Sequence, residues 1–153
     1  MNGQTGKKAD GQRANGVSSG SDFRKQMLWL KAQEFAEQVA ALVADLPHDR
    51  AADVIGTQLL RSATSIAANI AEGYGRFSQP AYRNHLSIAR GSAFESESWI
   101  DLLMRRKYVP FETGEAQIAT CVEVQKLVTV RMKSLADGKT YAVREESDEA
   151  YHI

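Results

Sequence analysis

Four long stretches of this chain repeat their apolar residues with the 3.6-residue period of an α-helix, and that pattern leaves few folds open. In the first, Leu28, Phe35, Val39, Leu42 and Leu46 follow spacings of 7, 4, 3 and 4, while Lys31, Glu34, Glu37 and Gln38 fill the other faces. The pattern predicts an amphipathic helix of about 22 residues, stopped by Pro47 because proline disfavours helical geometry at the residue before it. In the second, Ile55, Leu59, Ala63 or Ser62, Ile66 and Ile70 recur in step, with Asp49 as the N-cap. Gly73 and Gly75 are expected to end it, because glycine tolerates a left-handed C′ position. The third opens with Ser78 as N-cap and Pro80 in its first turn. Leu86, Ala89, Ala93, Ser96, Ile100 and Leu103 then step 3, 4, 3, 4 and 3, a seam with small residues in its first half. It should end near Lys107, where Arg105, Arg106 and Lys107 favour the negative pole of the helix dipole. In the fourth, Ile118, Cys121, Gln125, Val128, Met132 and Leu135 repeat the same steps, with Thr113 and Glu115 at its start and Gly138 beyond its end. No stretch of comparable length alternates with period two. The expected fold is all-α, an antiparallel up-down-up-down four-helix bundle over residues 23–136, since short connections suit antiparallel neighbours.

The chain has 153 residues, 43% of them hydrophobic and 25% charged, which suits one such domain rather than two. Residues 1–22 carry five glycines and few apolar side chains, so a flexible N-terminal arm is expected there. Residues 137–153 hold Asp137, Glu145, Glu146, Asp148 and Glu149 against Lys139 and Arg144, which reads as an acidic flexible tail. Lys plus Arg number 19 and Asp plus Glu number 19, so the formal net charge is zero. That balance excludes a strongly cationic whole-chain nucleic-acid binder, although the body is slightly basic and the tail acidic. No apolar run approaches the ~18 residues that would span a bilayer. No secretory signal is visible, and the single cysteine, Cys121, suits a reducing compartment. A cytoplasmic protein without a membrane partner is expected.

The search for catalytic chemistry yields little. A di-iron bundle needs Glu-x-x-His pairs, and the four helical stretches contain none. Cys121 lies on an apolar stripe, which fits a buried structural thiol. His85 sits beside Tyr82 and Leu86, as a packed or rim histidine would. No Gly-x-Ser-x-Gly turn exists, and Gly73-Tyr74-Gly75 lacks the length and the lysine of a phosphate loop. The expectation is a non-enzyme with no cofactor and no metal site.

Two residue sets stand out for other reasons. Asn69 with Glu72 on the second helix, and Ser92 with Glu95 on the third, have the i, i+3 spacing of a polar ladder between neighbouring helices. Gly91 would let the two backbones approach. Arg83 and Arg90 share a face of the third helix, Arg76 precedes it, Arg61 lies on the second, and Arg105, Arg106 and Lys107 form a cluster. Such bases serve either as a solvated or inter-subunit ion-pair face or as phosphate contacts.

The segment from Leu59 to Arg76, with its Arg61-Ser62-Ala63 and Asn69-Ile70-Ala71-Glu72-Gly73 pieces, is distinctive, as is Gly91-Ser92-Ala93-Phe94-Glu95. Together they resemble the four-helix bundle family of the 23S rRNA intervening-sequence proteins, which includes the accessory variability determinant of diversity-generating retroelements. The resemblance covers about residues 23–136, and Asn69, Glu72, Gly91, Ser92 and Glu95 fall on its signature positions. It implies a small cytosolic bacterial protein that assembles as a ring-shaped homopentamer and has no catalytic activity. For the retroelement members it implies action with a reverse transcriptase and binding of RNA or DNA through a basic surface. The leading expectation is an oligomeric scaffolding or binding module; the alternative is an RNA- or DNA-binding accessory factor. Leu30, Phe94, Trp99, Val124 and Leu127 fall off the four seams and would suit a subunit interface.

Overall fold

A computed structural model describes residues 26–136; the N-terminal arm and the acidic tail lie outside the described residues. Within them the chain forms four helices and no strand: α1 (Met27–Ala44), α2 (Arg50–Tyr74), α3 (Gln79–Arg105) and α4 (Phe111–Ala136).

The helix ends follow from local chemistry. α1 has 18 residues, shorter than its apolar pattern suggests. The amides of Asp45 and Leu46 bond back to the carbonyls of Leu42 and Val43, a tightened final turn that releases the chain before Pro47. The Asp49 carboxylate caps α2 by accepting the Ala51 amide at 2.8 Å, and the Tyr108 hydroxyl donates to its other oxygen at 3.1 Å. These two bonds, the backbone one first, hold the Asp49 carboxyl below the usual carboxylate range. The Ser78 hydroxyl caps α3 by accepting the Ala81 amide.

At the other ends the glycine expectation fails. Gly75 has φ −77°, a right-handed conformation open to any residue, and Gly73 lies inside α2. The left-handed residue is Lys107, with φ 59°, after the last turn of α3. Its amide bonds to the Met104 carbonyl, and the Tyr108 amide reaches the Leu103 carbonyl at 3.0 Å. That is the Schellman arrangement, built on a lysine instead of a glycine.

α2 and α3 run in opposite directions, and so do α3 and α4, as their paired residues show. Ser62, Ser65 and Asn69 of α2 meet Ser96, Ser92 and His85 of α3 in reverse order. Gln125 and Thr129 of α4 meet Glu97 and Arg90 of α3 in reverse order too. Lys31 of α1 pairs with Glu123 of α4, closing the ring of four.

All four apolar seams meet in one interior. Phe35, Val39, Leu59, Ile66, Ile70, Leu86, Ile100, Leu103 and Val128 have no exposed surface. Ile118 and Leu46, at the ends of their seams, are only partly buried, as is Met132. Val124, assigned above to an exposed set, is fully buried. It neighbours Gln125, and the pair broadens the buried stripe of α4 beyond a simple seam.

Candidate functional site

The polar contact between α2 and α3 keeps Asn69 and Ser92 of the expected set, holds Glu72 at its rim and leaves out Glu95. The Ser62 and Ser96 hydroxyls meet at 2.8 Å in the buried interior. One turn further, Ser65 and Ser92 meet at 3.1 Å. Asn69 donates from Nδ2 to the Ser65 carbonyl and hydroxyl, and its Oδ1 lies 3.2 Å from His85 Nδ1. Arg76 Nε donates to His85 Nε2 at 3.3 Å. Nε2 therefore accepts, so the proton of a neutral imidazole sits on Nδ1 and is donated to Asn69. Glu72 closes the row at its exposed end, paired with Arg76 at 2.6 Å.

Glu95 does not take part. It points outward and accepts the Trp99 indole N–H at 3.2 Å. Gly91 is exposed, and a Cβ there would have nothing within 4 Å. It does not bring the backbones together. Gly73 does: its added Cβ would stand 2.6 Å from the Cβ of His85 and 3.0 Å from the Tyr82 ring. Ser62, Ser65, Ser96 and His85 complete the ladder. The 62, 65, 69 spacing on α2 and the 85, 92, 96 spacing on α3 are the sequence signals that could have found them.

A second polar group lies between α3 and α4. Gln125 Nε2 donates to Glu97 Oε2 at 2.6 Å, and the Cys121 thiol donates to the Ala93 carbonyl. Burial, with the Glu97 charge adding to it, pushes the thiol up to about 12 from 9.0. A shift of that size cuts the thiolate fraction at neutral pH by about a thousandfold. Iodoacetamide should therefore leave Cys121 unmodified at pH 8 in the folded protein and react once denaturant is added; rapid native labelling would contradict the buried thiol. Below pH 9 this group leaves stability unchanged. As pH rises from 9 towards 12 the unfolded chain loses the proton that the folded one keeps, so stability falls.

The seven candidate bases are dispersed. Arg61 is exposed on the outer face of α2, and Arg83 is exposed on α3. Arg90 donates to Thr129 at 3.0 Å and lies over the Phe94 ring at 4.9 Å. Arg76 is bound to Glu72 and His85, and Arg105 to Asp101 at 2.6 Å. Arg106 stacks on Tyr108, and Lys107 holds the left-handed turn. Arg76 and the Arg105–Lys107 cluster sit at opposite ends of the 27-residue α3, about 40 Å apart at the rise of an α-helix. They do not form one surface.

Between α1 and α2 runs an apolar groove of about 490 Å³, floored by alanines including Ala36, Ala40, Ala67 and Ala71, with Trp29 at one end. Among the described residues no group of three His, Cys, Asp or Glu side chains is placed to hold a metal. None of the described helices is long and apolar enough to cross a membrane.

No curated protein matches the chain. A solved structure of a protein of unknown function from the S23 ribosomal protein family of Bacteroides thetaiotaomicron is 35% identical, with a TM-score of 0.66. The match covers 69% of this chain and 98% of that one. The family model of the 23S rRNA-intervening sequence proteins matches residues 24–130, a span that holds α1 to α3, most of α4, the α2–α3 ladder and Gly73. The chain belongs to the 23S rRNA-intervening sequence protein family.

Proposed function

We propose that this protein is a non-catalytic module that works by assembling with further copies of itself. The alanine-floored groove between α1 and α2 carries this reading. Small side chains there leave room for a helix to approach closely, and Leu30, 45% exposed, lies on α1 one turn from Gln33 of the lining. Copies that meet there bury both, as subunits of a closed ring do. A ring of five is the assembly that the family resemblance implies.

The buried and half-buried polar groups that could carry chemistry are engaged in packing. Cys121 is bonded and protonated, His85 has both ring nitrogens occupied, and Glu97 is bound to Gln125. Each of these bonds serves a contact between helices or at a helix end, which supports the non-catalytic reading.

Light scattering of the purified full chain tests the proposal. The parent should run as a multimer at micromolar concentration. Ala40→Glu and Ala68→Glu each place a charge on an exposed position of the groove, where folding tolerates it, and should give monomers with unchanged helical content. A parent that is monomeric, or variants that keep the parent's mass, would end this reading.

A further inference from the structure

We infer that the outer groove between α3 and α4, on the opposite side of the bundle from the alanine groove, is an acidic-peptide site whose occupant is this chain's own segment 145–149.

The structure builds a basic surface that no single stretch of sequence displays. The Arg90–Thr129 hydrogen bond fixes the register of the two helices. From it, Arg83 lies two turns back on the same side of α3, and Phe94 one turn forward. On α4, Lys126 and Lys133 lie three residues before and four after Thr129, within one turn of it on the exposed side of that helix. Arg83, Arg90, Lys126 and Lys133 are all exposed.

Acids are missing from both stretches. There is no Asp or Glu from Phe77 to Phe94, nor from Val124 to Ala136. The carboxylates that flank the two stretches keep their charge but are held by partners: Glu97 accepts from Gln125, Glu95 accepts from Trp99, and Glu123 pairs with Lys31. Antiparallel packing superimposes the two acid-free stretches, so four positive charges share one groove in a chain whose total charge is zero.

The occupant follows from charge and reach. Glu145, Glu146, Asp148 and Glu149 supply four carboxylates within five residues. α4 ends at Ala136, at the same end of the bundle as Arg83. From there back to Lys126 is about 15 Å along the helix. The nine residues from Ala136 to Glu145 span at most about 30 Å extended, and about 17 Å as a coil. The acids therefore reach the groove without strain. Exposed pairs of this kind are individually weak, and four together in one groove exceed what any single pair holds. The segment presents its carboxylates as a phosphodiester chain presents its phosphates, so it competes with any polyanion for the same four bases.

Zero-length carbodiimide crosslinking of the full chain, read by mass spectrometry, tests this. The expected result is crosslinks from Lys126 and Lys133 to carboxylates of 145–149, with none from Lys107 at the far end of α3. They should be lost at about 0.5 M salt, where screening shortens to a few ångströms, and lost in the Arg83→Glu, Arg90→Glu double variant. That variant keeps both crosslinking partners and changes only exposed positions. Absent crosslinks, crosslinks shared equally with Lys107, or crosslinks indifferent to salt overturn the inference. A parent chain that binds a single-stranded oligonucleotide at about 50 mM salt as tightly as the Glu145→Gln, Glu146→Gln, Asp148→Asn, Glu149→Gln variant also overturns it, and gives the groove to nucleic acid. None of these readouts depends on the α1–α2 groove, so assembly and tail docking fail separately.

Discussion

Phe35→Ala should lower the free energy of unfolding by about 3–5 kcal/mol, measured by denaturant titration. Phe35 lies in the middle of α1, has no exposed surface and belongs to the core shared by all four helices. Truncation removes the transfer energy of a phenyl ring and leaves a cavity. The helices around it are already close-packed through Ala32, Ala63 and Ala89, which are fully buried and too small to fill the space. Against a typical stability of about 5–15 kcal/mol this is a large fraction, so the variant should melt many degrees lower. A loss under about 1 kcal/mol would mean that the core collapses around the gap, and that the four seams do not pack as described.

Gly73→Ala should destabilise the protein by about 1–3 kcal/mol, although alanine is intrinsically the better helix former by about 1 kcal/mol. The added methyl would stand 2.6 Å from the Cβ of His85, 3.0 Å from a Tyr82 ring carbon and 3.3 Å from the Tyr82 carbonyl oxygen. None of these atoms is the free end of a flexible side chain. Relief requires α2 and α3 to move apart at the point where Asn69, His85 and Arg76 are bonded, so the ladder should loosen with the packing. Gly91→Ala is the matched control. It is also helical, but its methyl meets nothing within 4 Å, so it should stabilise by about 0.5–1 kcal/mol. Thermal melts of the two variants should therefore move in opposite directions. The same direction for both would remove the close-approach account of Gly73.

The ladder shows what a single sequence can and cannot display. Asn69 and Ser92 were visible because their spacings match a helix face. Glu72 and Glu95 carried the same spacing, yet one ends at the exposed rim with Arg76 and the other turns outward to Trp99. An i, i+3 step defines a face only to within about 60°, which spans both the contact line and the solvent beside it. Likewise, the glycine that allows close approach and the glycine that faces solvent look alike in sequence, because what differs is the neighbour. Cys121 was legible as buried, but its bond to the Ala93 carbonyl depends on how far α4 slides along α3.

The residues by themselves determined four helices, their caps at Asp49 and Ser78, and which faces turn inward. These depend on the 3.6-residue repeat and on side chains acting within one turn of their own backbone. Tertiary structure decided which helix edges meet. It chose Gly73 over Gly91 as the contact glycine, brought Ser62, Ser65 and His85 into the polar row, and left an alanine groove on one side of the bundle. It also set Arg90 of α3 against Thr129 of α4, a residue more than thirty positions away in the chain, with Lys126 and Lys133 on neighbouring turns. The physical reason is that rotation and sliding of whole helices are set by packing across the core, and a local sequence pattern carries no record of either.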